Sequence, residues 1–281
     1  KIMTVKKFNL KNDEIEVKFI PELGGRVSSL VNKRTGKEWV WKDPRLSTRK
    51  VEEGHDYDDN WQGGWEELFP NDAIETFSWG PGFDHGELWF KSWELLNLSE
   101  NNATLEIKNL ESGARIIKSF SIENNKFTSE YKGEVKFKDY FLFKLHIAIP
   151  LTERLNIKLQ QKDMDKVVKN FGNILKTEEH EKFLNPERNS GLYDFAYIDI
   201  TDNEIALLDE EKDQLKLTYD NDFFKYFWIF QTQGGWMNRN VVVLEPCTNG
   251  RKLISEAAEE EMSIKGPLEF NTKFSVELSK L

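Results

Sequence analysis

Short stretches that alternate apolar and polar residues recur along most of this chain, and no other feature limits its fold as strongly. Ile15-Glu16-Val17-Lys18-Phe19 alternates, as do Thr104-Leu105-Glu106-Ile107-Lys108, Lys118-Ser119-Phe120-Ser121-Ile122 and Phe274-Ser275-Val276-Glu277-Leu278. A period of two is the repeat of a strand with one wet face. Polar pairs suited to tight turns punctuate these runs: Asn12-Asp13, Asn101-Asn102, Asn124-Asn125 and Asn221-Asp222. Many strands at such spacing predict an all-β fold, a large antiparallel β-sandwich with few short helices. One stretch departs from the pattern. Met164, Val167, Val168, Phe171, Ile174 and Leu175 fall at helical spacing and predict a short amphipathic helix over a sheet edge. No Pro-, Gly- or Ser-rich linker and no internal repeat interrupts the chain, so residues 1–281 are expected to form a single domain.

Hydrophobic residues make up 38% of the chain and charged residues 31%, enough to bury a substantial core. The net charge of −10 offers no basic face to neutralise phosphates, which argues against a nucleic-acid partner. The single cysteine, Cys247, excludes an intrachain disulfide and suits a reducing compartment. No apolar run reaches the roughly 18 residues of a membrane span, and Lys1 to Asn12 is too polar for a secretory signal. The expectation is a cytoplasmic protein with no membrane partner. Nine Trp and 20 Phe exceed what a core of this size needs. Flat aromatic faces also stack on the C–H faces of pyranose rings, which points to carbohydrate.

Two regions do not read as ordinary strands. Asp56 to Trp89 is dense in Gly, Trp and charge, and long segments of this kind inside a domain are usually functional. Val241-Val242-Val243-Leu244-Glu245-Pro246 ends an apolar strand in a carboxylate, which must be paired, hydrogen-bonded or functional if buried. Four histidines are present. His146 lies in the apolar run Leu145 to Ile149, as either a satisfied structural group or a catalyst. His85 lies in the aromatic segment. His55 and His180 sit among acids and are expected at the surface. No pair of histidines has the spacing of a helical zinc site and there is no Cys pair, so no metal is expected. There is no Gly-x-Ser-x-Gly elbow and no phosphate-binding glycine loop.

A family resemblance spans nearly the whole chain. Gly24-Gly25-Arg26-Val27-Ser28-Ser29-Leu30, Gly63-Gly64-Trp65-Glu66-Glu67-Leu68-Phe69-Pro70-Asn71, Asp84-His85-Gly86-Glu87-Leu88-Trp89, His146 and Leu244-Glu245-Pro246 occur in the order seen in galactose mutarotase-like proteins, the aldose 1-epimerases, and resemble their motifs. The resemblance implies a supersandwich, no cofactor, a monosaccharide substrate and a monomer or homodimer. It implies Glu245 as base and His146 as acid, with His85 hydrogen-bonding the sugar. Changing anomers requires removing the anomeric hydroxyl proton and protonating the ring oxygen, so a positioned carboxylate and imidazole suffice.

Further substrate-binding positions follow. Asn71 and Glu67 lie in the substrate-loop motif, and Asp194 is either a hydroxyl-binding acid or a turn aspartate. Trp65, Trp89 and Trp236 are either a stacking wall or core. Arg26 and Arg239 are the candidates for a basic pocket, though no cluster is evident. The sequence departs from the best-known galactose mutarotases in having Asp72 where they carry arginine, and Ile147-Ala148 after the second histidine. Both changes leave the sugar open. Two other functions fit the same residues. One is a sugar-binding protein without catalysis. The other is a glycoside-cleaving enzyme drawing its carboxylates from Glu66, Glu67, Glu87 and Glu245.

Overall fold

The computed structural model describes residues 5–159, 167–169, 177–198 and 202–281. Two antiparallel sheets account for most of them. The nine-stranded sheet runs, in spatial order, Phe8–Lys11, Ile15–Ile20, Arg26–Asn32, Trp65–Leu68, Lys144–Pro150, Asn240–Cys247, Tyr226–Gln233, Tyr193–Ile198 and Val167–Lys169. The eight-stranded sheet runs Leu155–Lys158, Glu204–Asp209, Asp213–Tyr219, Leu268–Lys280, Lys126–Val135, Arg115–Glu123, Asn102–Ile107 and Glu94–Leu98. All four alternating segments of the sequence fall in strands, with Lys108 alone lying one residue past the end of its strand. Leu268–Lys280 shows the pattern at its fullest, with Phe270, Thr272, Phe274, Val276 and Leu278 buried and their neighbours wet. Asn12-Asp13 and Asn124-Asn125 turn the chain between adjacent strands, and Asn124 takes the left-handed conformation such turns need, φ 51°.

The core lies between the sheets. Leu145, Ile147, Ile149, Val242, Leu244, Phe227 and Ile229 meet Phe120, Phe127, Leu215, Leu217, Phe274 and Val276 there. Side chains on a strand alternate in direction, so the neighbouring positions Ala148, Val241, Val243, Cys247 and Trp228 point to the opposite side of the nine-stranded sheet. A second apolar cluster forms there with Trp41, Tyr57, Trp61, Trp89 and Phe90 from the loops. That second face carries the candidate site.

Three expectations need correction. The segment from Asp56 to Trp89 is not wholly loop: Trp65–Leu68 is an inner strand between Arg26–Asn32 and Lys144–Pro150. Val167–Lys169 is a strand paired with Tyr193–Ile198 rather than part of a helix, because strand pairing overrides spacing at Val167 and Val168. Met164, Phe171, Ile174 and Leu175 lie outside the described residues. His180 is buried within a helix, Thr177–Leu184, rather than solvated.

Candidate functional site

Alternation and register assemble the site. On Lys144–Pro150 the even positions Lys144, His146 and Ala148 turn away from the inter-sheet core that Leu145, Ile147 and Ile149 join. On the next strand Glu245 and Cys247 share that direction. The pairings Lys144↔Cys247 and Ile147↔Leu244 set His146 beside Glu245. Trp228 stands opposite Glu245 on one flank and Glu66 opposite His146 on the other. Loops close over this patch. Asp56 caps the short helix Tyr57–Asn60 by accepting from the Asp59 amide at 2.9 Å, which brings Tyr57 and Trp61 over His146. His85 and Gly86 both take left-handed conformations, φ 58° and 76°. Any Cβ at Gly86 would sit 2.1 Å from the Phe69 carbonyl, so glycine is required for the turn that presents His85.

The result is a cavity of about 510 Å³. Glu245, His146, Lys144, His85 and Asp72 line it, with Tyr57, Trp61, Phe195, Phe230 and Trp236 as aromatic walls. Asp58, Tyr193, Asp194 and Lys252 complete its lining. Apolar walls around a few convergent polar groups are the usual make-up of a small-molecule site.

The polar groups form one connected set. Nε2 of His146 lies 3.5 Å from Oε1 of Glu245. The other Glu245 oxygen accepts from Lys144 Nζ at 2.9 Å, and the same ammonium donates to Asp72. Lys144 also rests on the face of Trp228, 4.5 Å from the ring centre. Asp72 faces His85 and Lys252 with its second oxygen, each at 3.7 Å. His85 is held by Asp84 at 2.8 Å and stacks on Tyr57, with ring centres 4.0 Å apart.

Burial sets the protonation preferences. It drives His146 far below the usual imidazole range, helped by the positive charge of Lys144. Burial also raises the Glu245 carboxyl, while Lys144 pulls it back. For Asp72 burial is outweighed by Lys144 and His85, and its carboxyl is held far below normal. Burial would lower Lys144, but Asp72 and Glu245 outweigh it and keep the ammonium charged. A buried ammonium between two carboxylates is a costly arrangement that persists only while all partners are present.

Of the positions expected from sequence, the structure brings Glu245, His146, His85, Asp194 and Trp236 to one cavity. It does not bring the others. Trp65 points into the inter-sheet core and donates its indole N–H to the Ala148 carbonyl at 3.0 Å. Glu67 points the same way, where Lys118 donates to it at 2.7 Å and the Tyr131 hydroxyl at 2.6 Å. Asn71 is fully buried and donates to the Ala73 and Phe83 carbonyls, so it shapes the loop rather than facing the cavity. Trp89 lies behind Tyr57, its indole bound to the Asp84 carbonyl at 3.0 Å. Arg26 is buried against Glu66 at 2.6 Å and donates to the Gly63 and Trp89 carbonyls. Arg239 is taken by Asp43 at 2.9 Å. The cations at the cavity are instead Lys144 and Lys252. Among the four glutamates considered for glycoside cleavage, only Glu245 lines the cavity, since Glu87 accepts from the Glu111 and Ser112 amides.

Sequence reasoning missed Lys144, Tyr57, Trp61 and Lys252. Lys144 carried a usable signal: it sits two residues before His146 and therefore shares its face. Tyr57 carried none, because loop closure decides where it points.

Comparison with known proteins agrees on the fold. A family model described as a domain of unknown function (DUF5107) matches residues 3–71. No curated protein matches the chain. Among solved structures, a candidate aldose 1-epimerase from Escherichia coli K12 superimposes with a TM-score of 0.74 at 11% identity, covering 99% of this chain and 100% of its own. A galactose mutarotase-like protein from Lactobacillus casei gives 0.71 at 14% identity, over 98% of this chain and all of its own. A galactose mutarotase related enzyme from Lactobacillus acidophilus gives 0.70 at 13% identity over 98% of both chains. At these identities the likeness establishes the fold, the galactose mutarotase-like sandwich, over essentially the whole chain.

Proposed function

We propose that this chain is an aldose 1-epimerase that interconverts the anomers of a neutral monosaccharide by acid–base ring opening. The observation that carries this is the meeting of Glu245 and His146, 3.5 Å apart, in a cavity that His85 also lines. In this reaction Glu245 takes the proton of the anomeric hydroxyl while protonated His146 gives one to the ring oxygen. The C1–O bond of the ring breaks, the aldehyde turns about C1–C2, and the ring closes on the other face with the proton transfers reversed. A carboxylate and an imidazole suit both directions because each takes and returns a proton. His85, held by Asp84, is placed to hydrogen-bond the sugar near its ring oxygen. Trp236 and Phe230 supply faces on which a pyranose stacks, and Asp194 supplies a hydroxyl acceptor.

The charge pattern supports a neutral sugar. Lys144 and Lys252 are matched by Glu245 and Asp72, and Asp58 and Asp194 add further acidic groups to the lining, which disfavours a phosphate or sulfonate. Glycoside cleavage is the weaker alternative. Of the four glutamates that could serve it only Glu245 lines the cavity, and the group it faces at 3.5 Å is the imidazole of His146 rather than a second carboxyl.

The test is polarimetry on freshly dissolved pure anomers of neutral aldoses, with and without the protein. Acceleration for at least one sugar supports the proposal. Calorimetric binding of a sugar with no acceleration indicates a sugar-binding protein and contradicts it.

A further inference from the structure

Behind His146, on the side away from Glu245, lies a chain of buried polar groups that the proposed reaction does not use. Nδ1 of His146 is 3.3 Å from the hydroxyl of Tyr57. That hydroxyl is 2.6 Å from Oε1 of Glu66, and Oε2 of Glu66 is 2.6 Å from the guanidinium of Arg26. All four side chains are buried. Such a chain has a direction, set by where its protons are committed.

The direction can be worked out from the far end. Arg26 is permanently charged and fully enclosed, so a carboxylate at 2.6 Å must balance it, and Glu66 is the one present. Burial raises the Glu66 carboxyl, but Arg26 and the Tyr57 hydroxyl pull against that rise. A carboxylate accepts only. Tyr57 must therefore donate its single proton to Glu66, and burial keeps the phenol from ionising. What remains on the phenol oxygen is acceptor capacity, directed at Nδ1.

We propose that Tyr57, clamped by Glu66 and Arg26, is a positioning residue that fixes the tautomer of His146: Nδ1 carries the hydrogen and donates to the phenol oxygen, and Nε2 is left bare toward Glu245 and the cavity. Neutral His146 then has no proton to give from Nε2. It becomes a donor only by gaining a second proton, so His146 and Glu245 together hold one mobile proton across the 3.5 Å between them. In the reactive arrangement that proton is on Nε2 and Glu245 is a carboxylate. Nε2–H then protonates the ring oxygen as the C1–O bond breaks, Glu245 accepts the anomeric hydroxyl proton as C1=O forms, and the pair again holds one proton. Around His146, Lys144, His85 and Arg26 oppose a second proton, Asp72 favours it, and the edge of Trp61 packs against the ring.

The catalytic meaning of this tautomer rests on the proposed epimerase reaction, but its test does not. The ¹⁵N spectrum of histidine-labelled protein without sugar, recorded above the titration of His146, reads the two ring nitrogens directly. The expected spectrum shows a protonated, pyrrole-like Nδ1 and an unprotonated, pyridine-like Nε2. In Glu66→Gln the amide oxygen faces Arg26 and the amide N–H faces the phenol oxygen, which releases the Tyr57 proton toward Nδ1. That variant is expected to reverse the tautomer to Nε2–H, and Tyr57→Phe to lose the one-sided preference. A wild-type spectrum with the hydrogen on Nε2 overturns the proposal even if neither variant folds. So does an unchanged tautomer in both folded variants. Absence of mutarotation beside the expected spectrum counts against the epimerase reading alone.

Discussion

Lys144 holds Glu245: its ammonium donates at 2.9 Å to one oxygen of the carboxylate whose other oxygen faces His146. Asp72 shares the same ammonium. Replacing Lys144 with Met leaves the buried Glu245 carboxylate without its cation and Asp72 facing only His85 and Lys252, each at 3.7 Å. We expect a loss of about 3–5 kcal/mol in stability, the usual cost of breaking a buried ion pair. The Glu245 carboxyl, already raised by burial and lowered by Lys144, should rise further. The acid limb of the pH–rate profile should therefore move to higher pH. Urea unfolding and mutarotation rates across pH measure both effects.

Asp43 gives the acid stability a component with a definite window. Burial alone would raise its carboxyl, but hydrogen bonds from Arg45 and Arg239 bring it from 3.8 to about 2. A depressed folded-state value means that the stabilisation is present above the unfolded value and disappears as pH falls toward about 2. Thermal midpoints measured over that range should fall less steeply in Asp43→Asn than in the wild type, and the variant should start lower at neutral pH.

Glu67 tests the division between the two faces of the nine-stranded sheet. Its partners Lys118 and Tyr131 belong to the eight-stranded sheet, so its work is to tie the sheets together. Glu67→Gln should cost stability by about 3–5 kcal/mol, since it leaves a buried ammonium without its counter-charge. Its KM for the sugar should match the wild type. A large KM change at preserved stability would return Glu67 to the cavity.

The sandwich was legible because period-two alternation leaves few alternatives; Glu245 and His146 stood out because each interrupts an apolar strand, but that pattern left their roles open and only the family resemblance implied them. Faces were harder. Glu66 and Glu67 are adjacent and equally acidic, yet one joins the cavity side through Tyr57 and the other joins the inter-sheet core. A single step along a strand reverses direction, and only register against neighbouring strands decides which step is which. The tryptophans posed the same problem: Trp65 and Trp236 look alike in sequence, but one is core and the other lines the cavity. Lys144 was not singled out from sequence, since the two carboxylates that make its burial tolerable come from distant positions, 72 and 245.

The charge balance of the cavity predicts sugar choice. Neutral aldoses should compete with one another for the site, whereas a hexose phosphate at equal concentration should inhibit weakly. Trp236→Ala should raise KM about ten-fold, with a smaller effect on kcat, because stacking is present in ground and transition states alike. Steady-state rates with a sugar panel decide this.

The most direct measurement is the mutarotation rate of Glu245→Gln and His146→Ala on a sugar the wild type turns over, with binding of that sugar measured in parallel. The account predicts that each variant loses at least about 10²-fold in kcat, the scale of a positioned acid or base, while sugar still binds. Two folded variants that bind sugar and turn it over at the wild-type rate would contradict it.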